Sequence, residues 1–373
     1  MTRILSLKEN DMNRRGFING TASLLAFGGV GAIGGRSVTG SMEDYARYSA
    51  NMRRELPVGP PLRDLIRYAT LAPNGHNTQP WRFAVDDNAI DILPDLTRST
   101  PVVDPDDQHL FVSLGCSAET LRIAALSTGR PGDIEVKEDG AVRYAFIEGV
   151  PRMDPLFAAI PRRQSTRADF DGRPAPAADL EALTRAAAIP GVDLMLVTDR
   201  PRIDRIRDLV IASNDTQMAD AAFMAELKHW LRFNPKAAMA TGDGLFATAS
   251  GNPILPDALG GLAFEVFFMA HAENLKYARQ INSSAGLAVF TGTMADREHW
   301  VAVGRCCQRF ALAATSLGLK CSFVNQPVEV ARLRPELAAI AGTGGGRPDV
   351  VMRFGYGPRL PYSPRRPVES VIA

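Results

Sequence analysis

The chain has 373 residues, 46% of them hydrophobic and 22% charged, with 42 Lys+Arg against 41 Asp+Glu for a formal net charge of +1. This is an ordinary globular composition with room for two or three domain-sized cores, and its 32 Gly and 26 Pro are too few and too dispersed for a collagenous or disordered chain. The balanced charge lacks the basic excess that neutralises phosphates, so no nucleic-acid partner is expected.

Residues 1–40 stand apart as a signal-like segment. Lys8 and Arg14-Arg15 precede Gly16-Phe17-Ile18 and a run of mostly small, apolar residues from Gly20 to Gly35, which is too short and weakly apolar for an ordinary membrane span. Asn13-Arg14-Arg15-Gly16-Phe17-Ile18 resembles a twin-arginine export motif, although the residue before the arginines departs from it and Asn19 stands where a lysine is usual. The expectation is export to the periplasm by the twin-arginine machinery. With no clear A-x-A cleavage site, an uncleaved membrane anchor is the alternative. Gly29-Val30-Gly31-Ala32-Ile33-Gly34 spells GxGxxG, but no strand precedes it and no suitably placed acidic residue follows a second strand, so it is not read as a dinucleotide turn.

A helix carrying Leu62, Leu65 and Ala69 leads into the loop Pro73-Asn74-Gly75-His76-Asn77-Thr78-Gln79-Pro80 and a strand from Trp81 to Val85. The loop gathers carboxamides, a glycine and an indole, which can bond the edge of a ring bearing carbonyls and NH groups; a tight structural turn is the other reading. Gly115 to Gly129 reads as a buried helix closed by glycine. Arg163-Gln164-Ser165-Thr166-Arg167 then places two guanidiniums and a hydroxyl within five residues, chemistry suited to phosphate or an electron-rich planar oxygen. Next come a helix from about Ala177 and a strand from Val192 to Val197.

Between about 230 and 280 lies a long Gly/Ala-rich insertion, more suggestive of a lid or partner surface than of an inert loop. Gly304 to Gly318 follows as a second glycine-bounded helix. Near the end, Val350 to Phe354 reads as a strand, and Ser363-Pro364-Arg365-Arg366-Pro367 as an extended segment whose arginines can reach a phosphate or remain solvated. Gly342 to Gly346 lacks the Lys-Ser/Thr of a P-loop and is read as a connection. Cys116, Cys306, Cys307 and Cys321, with five scattered histidines, offer no metal-binding spacing, and the thiols are read as packing residues.

The two halves match. Gly115–Gly129 and Gly304–Gly318 both run 15 residues, and Leu62, Leu65 and Ala69 parallel Leu180, Leu183 and Ala187. The first half has the carboxamide loop where the second has only Ala188-Ile189-Pro190-Gly191, and the second has the arginine segment where the first has only Arg53-Arg54. Chance similarity of Ala-rich helices is one reading. The other is a fused pseudo-dimer in which one of two equivalent sites has decayed.

Together, ATLAPNGHNTQPWRF, RRQSTR, the Trp300-to-Gly318 helix and RFGYG…SPRRP resemble the nitroreductase superfamily of FMN proteins, especially its fused Acg branch, over roughly residues 45 to 373. The resemblance implies an α+β, nitroreductase-like fold of two fused halves, 41–155 and 156–373, acting as an intramolecular pseudo-dimer and therefore expected to be monomeric, with the 230–280 insertion as a lid over the flavin. It implies FMN as cofactor, with Arg163, Gln164, Ser165 and Arg167 at its phosphate and ring edge. Pro73, Asn74, Gly75 and Asn77 would approach from the other half, Arg365 and Arg366 would complete the phosphate clamp, and Asn325 would lie near the ring. The expected function is hydride or electron transfer through the flavin to a small acceptor; sequestration or storage of flavin is the alternative. No side chain is assigned as catalytic acid or base. His76, in the ring-side loop, is read either as a proton donor or as structural.

Overall fold

The computed structural model describes residues 37–373; the twin arginines and the Gly29–Gly34 match lie outside the described residues. Ser41 caps α1 (Met42–Met52), its hydroxyl accepting from the Asp44 amide at 3.0 Å. There follow α2 (Leu62–Ala69), β1 (Trp81–Asp86), β2 (Ala89–Pro94), the long α3 (Gln108–Ser127), β3 (Gly132–Val136) and β4 (Val142–Phe146). Every pairing in the first sheet is antiparallel, in the order β1-β2-β4-β3.

The second half starts with α4 (Ala177–Ala187) and β5 (Val192–Val197). After these come α5 (Arg200–Met218), α6 (Ala221–His229), β6 (Leu231–Arg232), α7 (Pro235–Thr241), β7 (Leu245–Phe246), α8 (Asp257–Phe267) and α9 (Ala270–Asn282). It closes with β8 (Gly286–Gly292), α10 (Arg297–Ser316), β9 (Lys320–Phe323), α11 (Gln326–Glu329), α12 (Arg334–Ala341) and β10 (Val350–Gly355). Its four-stranded sheet runs β5-β8-β10-β9, again antiparallel throughout. Taken as counterparts in chain order, the strands of the two sheets have one topology, as fused halves require.

The duplicated helices meet where their glycines lie. A Cβ on Gly115 would sit 2.1 Å from the Val301 carbonyl oxygen, and one on Gly304 would sit 2.0 Å from that of Val112. Each glycine therefore meets the residue three positions before the other, the reciprocal contact of a two-fold interface. These glycines are inside α3 and α10 rather than at their starts, as the glycine-to-glycine reading had them, and they allow two backbones to cross. Gly129 and Gly318, at φ +93° and +79°, do end the helical segments in the left-handed region. Beside the crossing, Glu119 is buried. Burial alone would raise its pKa, but hydrogen bonds and charge from Arg122, Arg305 and Arg309 hold it at about 2. All four cysteines are free and buried, and burial pushes the Cys116 thiol up to about 12, where it is inert.

One hydrophobic core runs through both halves, from Leu65, Trp81 and Phe83 to Phe290, Phe310 and Phe354. Because side chains alternate across a strand, Ala288 and Phe290 of β8 enter this core, while Leu287 and Val289 enter a second one with Ile203, Ile206 and Val210 of α5. That second layer is absent from the first half, where two residues join β1 to β2. Between the corresponding β5 and β8 lies all of 198–285, a longer and more helical segment than the 230–280 loop anticipated from composition. The chain end crosses back: the Phe83 amide donates to Val371 O at 2.7 Å and the Ala373 amide to Phe83 O at 2.8 Å, adding a parallel bridge to the edge of β1.

Candidate functional site

Between α2 and β1 the backbone is forced into an uncommon path. His76, Asn77 and Gln79 have φ of 44°, 55° and 56°, a region that costs free energy for any residue with a Cβ. Internal bonds hold them there. Asn74 Oδ1 accepts from the Gln79 amide at 2.8 Å, and Asn77 Nδ2 donates to Gly244 O at 3.0 Å and Pro364 O at 3.1 Å. Gln79 Nε2 donates to Gly242 O at 2.8 Å while its Oε1 accepts from the Arg366 amide at 2.9 Å. The loop is thereby tied both to the insertion and to the C-terminal arm.

The arginine segment lies against the edge of the second sheet. Ser165 forms a parallel bridge with Cys321 of β9, and the Thr166 amide donates to Cys321 O at 2.8 Å. From below, the fully buried Arg353 donates to Thr166 O at 3.0 Å and Ala168 O at 2.7 Å, while Gln280 Nε2 donates to Arg167 O at 2.7 Å. These bonds fix the strand that carries Arg163, Ser165 and Arg167. The Gln164 carboxamide is committed to the C-terminal arm, donating to Leu360 O at 2.8 Å and accepting from the Leu360 amide at 3.3 Å.

That arm threads between the halves. Tyr45 donates to Tyr362 O at 2.6 Å, and the Arg365 amide donates to Tyr48 Oη at 3.1 Å, so α1 clamps it in place. The Arg365 guanidinium donates to Thr70 O at 2.6 Å, Asn77 Oδ1 at 2.6 Å, Ala72 O at 3.0 Å and Leu71 O at 3.1 Å.

Loop, arginine strand and arm enclose one small cleft of about 40 Å³, lined by Pro73, Asn74 and Asn77 from the first half and by Arg163, Gln164, Ser165, Arg167 and Arg365. Arg53, Leu245, Phe323 and Ser363 complete its wall. Two segments anticipated to face one another from sequence thus do so. Gly75 is exposed, its amide 3.4 Å from Ser113 Oγ and open space where a Cβ would stand. Asn325 and Arg366 do not line the cleft. Asn325 Oδ1 accepts from the Val351 amide at 2.9 Å, and Arg366 donates to Gln79 O at 3.2 Å and Ser370 O at 2.8 Å. Arg53 was visible in sequence only as what the first half keeps at the equivalent position. Here its guanidinium lies 3.7 Å from the Tyr362 ring centre and donates to Pro161 O at 3.1 Å.

Four guanidiniums thus meet at one cleft, and among the described residues none of Arg53, Arg163, Arg167 or Arg365 has a carboxylate within 4.0 Å. Burial, and for Arg53 the neighbouring Arg163, lowers Arg53 to about 9; burial lowers Arg163 to about 10. Arg167 is lowered by burial, and Arg365 by burial together with Arg53 and Arg163. Uncompensated buried cations are costly, and an anion seated among them reverses that cost. The Arg167 guanidinium is partly buried and has no hydrogen-bond or ion-pair partner among the described residues. On the adjoining loop, burial, Arg167 and His109 lower His76 to about 4, and its Nδ1 is buried without a partner. The set suits a phosphate-bearing ligand with a polar, planar body. No group of His, Cys, Asp and Glu among the described residues could hold a metal ion.

No family model matches the chain. Two Mycobacterium tuberculosis proteins are similar to it along most of their length. The one provisionally named NAD(P)H nitroreductase Rv3131 is 28% identical over 338 residues, 87% of this chain and 94% of the relative. The one provisionally named NAD(P)H nitroreductase acg is 23% identical over 335 residues, 83% and 95% of the two chains. Among solved structures, a nitroreductase with bound FMN from Bacteroides fragilis is 14% identical, covering 55% of this chain and 90% of that one at a TM-score of 0.35. An FMN-dependent nitroreductase from Mycobacterium smegmatis in complex with NADPH is 12% identical, covering 53% and 86% at 0.35.

Proposed function

We propose that this chain is an FMN-binding oxidoreductase of the nitroreductase superfamily, Acg-like in its fused halves, which passes hydride or electrons to a small acceptor. The observation that carries this reading is the cluster of four guanidiniums without a carboxylate, at a cleft that draws on both halves. Similarity to relatives named as NAD(P)H nitroreductases over more than four fifths of the chain supports the same class.

Arg163 and Arg167 would hold the FMN phosphate and the electron-rich ring edge, while Arg365, all five of whose N–H groups already donate within the protein, and Arg53, behind Tyr362, would add charge. Asn77 acts as a positioning residue, since both amide hydrogens and the carboxamide oxygen are engaged and the oxygen orients Arg365. Pro73 and Phe323 offer apolar wall to a flat ring, and Leu245 of the insertion excludes water. When bound, flavin supplies the redox chemistry, accepting and returning a hydride equivalent. A guanidinium beside the reduced ring's anionic edge stabilises that charge.

Export by the twin-arginine route belongs to this proposal and rests on Arg14-Arg15. Outside the cytoplasm NAD(P)H is not expected, so an exported form takes electrons from another donor. A second reading, sequestration of flavin, is favoured by the insertion's contribution of Leu245 to the cleft wall. Reoxidation separates the two: the purified yellow protein is photoreduced and mixed anaerobically with a nitroaromatic or a quinone. Prompt return of the oxidised flavin spectrum supports the oxidoreductase, slow return supports sequestration, and colourless protein that takes up no added FMN overturns both.

A further inference from the structure

Outside the cleft the cations continue. Arg162 and Arg359 are exposed and Lys320 is partly buried, and among the described residues none of the three has a carboxylate within 4.0 Å. Exposed arginines elsewhere on the molecule are paired, Arg47 with Glu43, Arg173 with Asp171 and Arg202 with Asp199. Like charges gathered without a counter-ion repel one another, and an anion seated among them relieves that repulsion.

The fold brings these three together. Ser165 bridges Cys321 in parallel, so Gln164 and Lys320 stand side by side at the next register position. The Gln164 carboxamide holds Leu360 through both its nitrogen and its oxygen, which sets Arg359 beside that pair. Arg359 donates to Tyr362 Oη at 2.7 Å, and Tyr362 donates in turn to the Arg162 carbonyl at 3.4 Å. Burial, Arg359 and Arg162 lower the Lys320 pKa. Donors remain to spare among the described residues: Arg359 engages one N–H group, Arg162 commits only Nε, to Ala158 O at 3.0 Å, and the Lys320 ammonium commits none.

Arg53 joins this rim to the cleft. It belongs to the cleft wall, and its guanidinium and that of Arg359 both pack on the Tyr362 ring, 3.7 Å and 4.9 Å from the ring centre. Its charge interacts with Arg163 on the cleft side and with Arg359 on the rim side. One cation therefore borders two neighbouring anion positions. Phosphates joined through a shared oxygen are the simplest chemistry that carries two anionic groups so close together in one ligand. We infer that cleft and rim together bind a diphosphate ester, the inner phosphate among Arg53, Arg163 and Arg167 and the outer one among Arg162, Lys320 and Arg359. The inference rests on the proposed reading of the cleft as a flavin-phosphate site and extends it: a flavin carried on a diphosphate, as in FAD, is held more tightly than the monophosphate.

Calorimetric titration of the full-length apo protein at low ionic strength tests this with four probes: FMN, FAD, orthophosphate and pyrophosphate. FAD should bind more tightly than FMN, and pyrophosphate more tightly than orthophosphate, each by roughly tenfold. Arg359→Gln combined with Lys320→Gln should erase both preferences and leave the two monophosphate affinities within about twofold of wild type. Lys320→Gln alone, which breaks no bond among the described residues, should remove part of each preference at an unchanged melting temperature. Equal affinities within each pair, or variants that weaken mono- and diphosphate ligands alike, would overturn the inference and leave the FMN reading standing. A preference for FAD that pyrophosphate does not share would overturn it too, since the gain would then come from the adenosine. If neither flavin binds, the FMN reading fails, and pyrophosphate against orthophosphate alone decides whether the rim takes an outer phosphate.

Discussion

Replacing Arg167 with alanine separates ligand holding from folding, because its guanidinium has no partner to lose among the described residues. The backbone at this position is held independently, by Gln280 on the Arg167 carbonyl and by Thr166 and Arg353 on either side. Burial already lowers the Arg167 pKa, so the native fold bears a desolvation cost that the substitution removes. The apo protein should therefore melt at the same temperature or slightly higher. Binding should move the other way. A hydrogen bond from a guanidinium to an anionic oxygen is worth about 1.5–3 kcal/mol, and at about 1.4 kcal/mol per tenfold this weakens FMN roughly 10- to 150-fold. Titration of flavin fluorescence against apo protein gives the affinity, and a thermal melt of the same sample gives the stability. An unchanged affinity accompanied by a lower melting temperature would refute the reasoning, since it would make Arg167 a structural cation.

Asn77→Ala should act on both quantities, because it leaves one Arg365 N–H and Gly244 O without a partner; a loss of about 2–4 kcal/mol by chemical denaturation is expected together with weaker FMN binding, and wild-type stability would count against the positioning role. Gly304→Val drives side-chain atoms into the Val112 carbonyl and should cost about 3 kcal/mol or more, read as a drop in thermal midpoint; a wild-type midpoint would mean that the two long helices do not cross at these glycines. The pH dependence follows from His76, whose folded pKa of about 4 lies below its unfolded value of 6.5. Between those values the unfolded chain binds more protons, so stability should fall as pH drops through that window, by at most roughly 3 kcal/mol. His76→Asn, which tolerates the left-handed backbone, should flatten that slope, and an unaltered slope in denaturant titrations at several pH values would assign it to other groups.

Much of the architecture could be read from the chain because duplication leaves the same pattern twice. The match of Gly115–Gly129 with Gly304–Gly318 pointed to two related halves, and the complementary loops to a site drawing on both. The glycines' positions within their helices were harder to read. Asp107 starts α3 in a left-handed conformation without capping it through its side chain, and the first-turn amides of His109 and Leu110 donate instead to Asp104 at 2.9 Å, whereas Asp296 caps α10 directly by accepting from the His299 amide at 3.0 Å.

The site was legible in its segments and less so in its individual contacts. A carboxamide such as Asn77 looks available for a ring edge until the buried carbonyls and guanidinium around it are placed; it then serves them, because buried polar groups must be paired. Arg366 adjoins Arg365 in an extended arm, where successive side chains point opposite ways, so one enters the cleft and the other turns to Gln79 and Ser370. Leu245 left no local signal, since it reaches the wall through contacts far apart in sequence. The insertion misled for another reason. Its glycines suggested loop, yet Gly242 and Gly251 are left-handed stops between short helices, and Gly260 is the point where α8 meets Phe233.

The most direct measurement of the central claim is the number of flavin sites per chain, by titrating apo protein with FMN well above its dissociation constant and finding the equivalence point by absorbance and by phosphorus analysis of the washed complex. One FMN per chain is expected, held where four arginines gather and absent from the counterpart position, whose short Ala188–Gly191 connection offers no such loop. Two per chain, or none, would contradict it.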